Sequence, residues 1–163
     1  MNKIYLYLFF IFVLFVFVIF QTTLFSPSHL GRFYIDLTLM LVVYLSLNSE
    51  IRGGVFLVFL SGYMLDLFSG TNMGLYVFSR LSLYLIIRFL ITKIYSDRVG
   101  VHILIIFLSI IYEWAVLALV FSFSSQLNTA ISVNFIIINI LINTFAGYIC
   151  FNILKDLHGK LHS

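Results

Sequence analysis

Arg80, Arg88 and Glu113 stand inside stretches that are otherwise almost wholly apolar. A charged side chain there pairs with another charge, passes protons or ions, meets a partner or reaches outward along its apolar stem. Left unpaired at mid-membrane, each costs at least about 2.5 kcal/mol. Counting 1.5 Å per residue, Glu113 lies about 18 Å along a helix that begins at Val101. Arg80 and Arg88 lie about 7 Å and about 20 Å along an opposed helix that begins at Leu75. Within a hydrocarbon core of about 30 Å, Glu113 falls between the two arginines in depth. The short segment "SDRVG" between these helices makes them antiparallel neighbours. Arg80, Tyr84 and Arg88 share one stripe at i, i+4, i+8. The favoured expectation is a structural ion pair. A proton path is less favoured, because such paths align several acids and only one is evident here.

Other polar residues point to packing rather than catalysis. Asn139, Asn143 and Gly147 recur at i+4 on one face, the usual spacing of helix–helix contacts in lipid. His158 and His162 are four apart, but a metal site lacks its other ligands there, and Gly159 interrupts the spacing. They read as a solvated tail. Serines are numerous, yet no histidine or second acid accompanies them at matching depth, so no catalytic residue, metal or cofactor is expected. Cys150 lies in an apolar run and reads as a small packing residue.

The elements that must position these residues are membrane helices. The chain has 163 residues, 63% hydrophobic and 9% charged, with mean hydropathy +1.15. A soluble domain carries about 25% charged residues. Six spans can be drawn: 4–20, 33–47, 54–68, 75–95, 101–121 and 133–154. They form one polytopic all-α domain over 1–163, with 155–163 as a short cytoplasmic tail. The first span resembles a signal peptide but lacks a small-residue cleavage site, and is expected to be retained. The second and third are short. They either extend into their flanks, are shielded by neighbours, or form a hairpin that dips in without crossing, which would leave four or five full spans. The net charge of +3 comes from a few loop residues. It marks topology, since nucleic-acid binding needs a basic patch on a soluble face.

The segment "GYMLDLFSGTNMG" concentrates polar and small residues between two apolar runs. Gly54 and Gly62 let another backbone approach the third helix. Asp66 stands at that helix's C-terminus, where the dipole disfavours an anion, so a cation or hydrogen-bond donors must compensate. Arg80 is the nearest outer-side cation in sequence, and a partner protein is the alternative. Ser69-Gly70 signals a turn, and Thr71 or Asn72 is suited to cap the helix that follows.

Gly54, Gly62, Asp66, Ser69, Gly70 and Gly74 resemble the MreD family of bacterial rod-shape-determining membrane proteins, and Asp36 fits that family's second span. The proline that often precedes this acid in the family is absent. The likeness covers roughly Arg32 to Tyr95. It implies a non-enzymatic subunit of the cell-elongation machinery in the bacterial inner membrane. Such a subunit binds MreC, and through it connects to the MreB cytoskeleton and to a RodA-type glycosyltransferase with its transpeptidase. The alternative is the substrate-binding subunit of an energy-coupling-factor vitamin transporter, with Asp66, Asn72, Arg80 and Glu113 lining a pocket. The first helix lacks the small-residue docking stripe of those subunits.

Basic residues predict the orientation. Lys3, Arg52, Lys93, Arg98, Lys155 and Lys160 fall on one side of the six spans and Arg32 on the other. Both termini are therefore predicted to be cytoplasmic. An alkaline phosphatase fused to the C-terminus should be inactive, and an active fusion would reverse the assignment.

Overall fold

The computed structural model describes residues 3–23, 35–48, 53–69, 74–91, 99–123 and 133–162. Every element among them is a helix: α1 (Lys3–Thr23), α2 (Leu37–Leu47), α3 (Gly54–Ser69), α4 (Leu75–Ile91), α5 (Val99–Phe123) and α6 (Val133–His162). Two stretches, Gly100–Leu119 and Ile136–Lys160, are long and apolar enough to cross a membrane. The side chains that face outward are themselves large and apolar, among them Phe12 and Leu8 on α1, Phe56 on α3, Phe89 on α4, Leu104 on α5 and Phe145 on α6. Helices that are hydrophobic all round suit lipid rather than water.

α2 is the central element. It has 11 residues, nine of them buried. At 1.5 Å per residue it is about 16 Å long, roughly half of a hydrocarbon core of about 30 Å. Of the three expectations for this short run, shielding by neighbours is what the structure shows. The expected start at Phe33 lies outside the described residues. Phe10, Leu14 and Val18 from one face of α1 join Leu41, Leu45 and Tyr44 of α2 in the core, together with Leu83, Ile87, Ile106 and Leu154 from the surrounding helices.

The consecutive pairs α1–α2 and α3–α4 are antiparallel. Gln21 at the end of α1 meets Thr38 at the start of α2, so these two run antiparallel. Gly62 and Asp66 of α3 meet the first turn of α4, while Gly54 meets Tyr84 farther along it. That pair is antiparallel too. α2 and α6 run parallel in strict register: Asp36 faces Asn143, Met40 faces Gly147 and Tyr44 faces Phe151.

α6 continues past Leu154, through the segment expected as a tail. His158 is buried rather than solvated. Its Nδ1 lies 2.7 Å from the Tyr44 hydroxyl, and its ring packs edge-on against Phe10. These contacts hold the helix through Gly159, whose Cα faces open space. A glycine costs a helix about 1 kcal/mol, which tertiary packing readily offsets. The side chain of His162 lies outside the described residues.

Two glycines mark helix contacts of different hardness. A Cβ on Gly62 would stand 2.6 Å from Val77 Cα and 2.9 Å from the Tyr76 carbonyl oxygen, both rigid backbone. A Cβ on Gly147 would meet the thioether of Met40 and a methyl of Ile106, and a methionine end can swing aside. Gly62→Ala should therefore destabilise by about 1–3 kcal/mol, the usual cost of overpacking, and Gly147→Ala by distinctly less. Thermal denaturation in detergent measures the order, and equal losses would count against backbone contact at Gly62.

Candidate functional site

α2 begins inside the bundle, so its first N–H groups have no water to meet and must find partners within the protein. The Asp36 side chain supplies the first one. Its Oδ1 accepts the Leu39 N–H at 2.8 Å and the Thr38 hydroxyl at 2.9 Å. Gln21 Oε1, from α1, accepts the Thr38 N–H at 3.2 Å. The Asp36 N–H itself donates to Asn143 Oδ1 of α6 at 2.9 Å, and Asn143 Nδ2 donates to the Asn139 carbonyl at 3.0 Å. Asn143 thus joins α6 to the start of α2.

The second oxygen of Asp36 turns to Arg80. Arg80 is the largest fully buried side chain, with no exposed surface. Its Nη1 donates to Glu113 Oε2 at 3.0 Å, and its Nη2 lies 2.9 Å from Glu113 Oε1. The same Nη2 contacts Asp36 Oδ2 and reaches the Thr38 hydroxyl at 3.4 Å. Beside this, the Tyr112 hydroxyl donates to Ser82 Oγ at 2.8 Å and ties α5 to α4. The expected partnership of Glu113 with an arginine is therefore present, and Arg80 is the one chosen. Arg88 lies apart. It is half-buried, 5.9 Å over the Tyr84 ring, with Nη1 3.5 Å from the Ser46 carbonyl near the C-terminus of α2. A cation there complements the negative end of the α2 dipole.

Asp36 joins this cluster although sequence spacing gave it no ionic role. It is 44 residues from Arg80, and no periodicity links residues on different helices. A buried acid at a helix N-cap, in a chain with so few charges, was the available signal.

Of the two kinds of compensation expected for Asp66, a cation or hydrogen-bond donors, the donors are present. Its Oδ2 accepts the N–H groups of Gly74 at 3.0 Å and Val77 at 3.2 Å, and its Oδ1 accepts that of Tyr76 at 2.9 Å. The compensation for an anion at the end of α3 is thus the positive end of α4, not Arg80. Gly74 takes φ +96°, a left-handed backbone that favours glycine and turns the chain so that these N–H groups converge. Gly54 is buried under Tyr84. Gly70, Thr71 and Asn72, and the side chain of Ser69, lie outside the described residues.

Comparison of the chain with protein-family models, with characterised proteins and with solved structures finds no match.

Removing Arg80 leaves two buried carboxyl groups without their cation. Arg80→Ala should cost about 3–5 kcal/mol, the loss typical of a broken buried pair. Glu113→Ala leaves Arg80 with Asp36 and should cost about 1–3 kcal/mol. Glu113→Gln should cost less, because the amide oxygen still accepts from the guanidinium. Denaturation midpoints of the purified variants test that ranking, and wild-type behaviour of all three would show that the cluster carries no stability. Asp66→Asn keeps one accepting oxygen and turns an amide group toward the N–H groups of α4. The lone protein should lose about 1–2 kcal/mol, measurable as a lower melting temperature. An unchanged melting temperature would mean that the cap does not hold α3 to α4.

Proposed function

We propose that this chain is a non-catalytic membrane scaffold of the MreD kind, a multi-pass subunit of the bacterial cell-elongation machinery. It binds an MreC-like protein, and through it connects to MreB and to a RodA-type synthase with its transpeptidase. The observation that carries this proposal is the α3–α4 corner. The residues that carry the family resemblance and are described there, Gly62, Asp66 and Gly74, build one joint from a backbone contact and a three-fold cap. The joint directs Tyr63, Leu67, Phe68 and Phe78 outward. A rigid corner with an apolar outer face suits a protein that works by contact.

The antiparallel pairs α1–α2 and α3–α4 suit an even number of crossings with both termini on one side of the membrane, and the distribution of basic residues favours the cytoplasmic side. α2 enters this arrangement as a short, shielded element. The scaffold is favoured over a vitamin-binding subunit because Arg80 and Glu113 engage each other, and Asp66 is taken up by backbone, instead of facing an open pocket together.

Affinity purification from native membranes with mass spectrometry tests the assignment. An MreC-like protein and wall synthases should co-purify. Phe78→Lys, at an exposed position, should reduce their recovery while leaving the lone protein's melting temperature unchanged. Recovery of a bound vitamin with an ATPase module would replace this function by the transporter one.

A further inference from the structure

The buried cluster has a charge imbalance that its geometry does not remove. Two carboxylates and one guanidinium sum to −2 + 1 = −1, and all three groups are at least nine-tenths buried: Arg80 is 0%, Asp36 5% and Glu113 5% exposed. Both carboxyl groups converge on the same nitrogen, Arg80 Nη2. Two ionised carboxylates drawn to one nitrogen in a dry site repel each other, and both charges cannot persist there. Glu113 Oε1, although 2.9 Å from Nη2, receives no hydrogen bond among the described residues. A buried acceptor without a donor, beside a second carboxylate and one negative charge in excess, is the place for a proton.

We propose that the Asp36–Arg80–Glu113 cluster is a proton-binding site, holding one proton between its two carboxyl groups in the folded protein at neutral pH. A hydronium ion supplies the proton and leaves as water. An O–H bond forms at Glu113 and donates to the Asp36 carboxylate, while Arg80 stays bonded to both. Release reverses these steps, returning the proton to water. The cluster is then electrically neutral. A metal cation is disfavoured because the guanidinium already occupies the cationic position, and a second cation beside it would be repelled.

Among the described residues, the remaining groups around the site do not supply the missing charge. α1 presents the neutral amide of Gln21, and α6 those of Asn139 and Asn143. On α4 Tyr76 brings a phenol and no cation. On α5 Tyr112 bonds to Ser82. Asp66 of α3 is a further acid and is held by the N–H groups of α4. The site does not depend on the scaffold function, and would exist in a protein with any other partner.

Infrared spectroscopy of the purified full-length chain in lipid nanodiscs reads the proton directly. Wild type should show a protonated-carboxyl C=O band at neutral pH that shifts in D2O. Glu113→Gln and Asp36→Asn should each lack it, because either leaves one carboxylate with one guanidinium and no excess charge. Stability gives a second readout. A proton bound by the folded but not the unfolded chain makes stability fall as pH rises. The folded-to-unfolded ratio of wild type should drop by up to about tenfold per pH unit above the ordinary carboxylate range, while the folded site still holds its proton and the unfolded chain has lost it, and should level off as the site empties. Glu113→Gln, whose amide imitates the protonated carboxyl as donor and acceptor, should remove that component of the pH dependence. No carboxyl band in wild type at neutral pH, or a band that survives in both variants, would overturn the proposal. So would a wild-type stability that depends on sodium and not on pH.

Discussion

Arg80 is the constraint on which the bundle's interior depends. Its guanidinium is shut off from solvent, and such a charge is tolerated only where its partners are placed for it. Those partners come from two other helices, Asp36 at the start of α2 and Glu113 within α5. Meeting the guanidinium fixes how α4 and α5 rotate toward each other and how deep α2 begins. The polar groups next to it extend the constraint outward: Asn143 holds the Asp36 N–H, and Gln21 holds Thr38. Five of the six described helices are joined to one cluster in this way. In lipid the gain from apolar burial between helices is small, so hydrogen bonds and close packing must specify the arrangement.

The sixth helix is attached by a different device. α3 joins α4 through a glycine contact and an anionic cap, with no cation involved. Asp66 at the end of one helix satisfies the first N–H groups of the next, so two helix ends that would each need a partner serve each other. This arrangement leaves Arg80 free for Asp36 and Glu113. The two acids of the central segment therefore divide the work, one holding the core cluster and one holding the corner.

A short helix inside a membrane bundle is affordable only when its ends are covered. α2 meets this condition at both ends. Its N-terminus is capped by Asp36 and Gln21, and at its C-terminus the Asn48 N–H reaches the Tyr44 carbonyl while Arg88 approaches that of Ser46. Irregular backbone at membrane depth is otherwise excluded unless protein surrounds it. The result places a helix start next to ionisable groups in the interior, where one proton more or less changes the local charge from neutral to negative. The ionisable groups lie inside the bundle and large apolar side chains cover its outside, so the two parts of the molecule are spatially separate.

Hydropathy determined the helical class and located all six helices to within a few residues at most described ends, because apolar runs broken by polar segments leave few alternatives. The arginine–glutamate pair was legible as well, since depth along a helix follows from counting residues. Three features were decided only in the tertiary structure. Asp36 became an ionic partner because α2 starts beside Arg80, and residues on separate helices have no spacing to betray their contact. Asp66 was drawn to backbone donors because the left-handed turn at Gly74 aims the first N–H groups of α4 at it, which no side-chain inventory reveals. His158 was buried because Tyr44 and Phe10 extend α6 beyond the point where composition turns polar. In each case the sequence determined which groups needed a partner, through charge, helix ends and ring polarity. The packing of helices distant in the chain decided which partner they received.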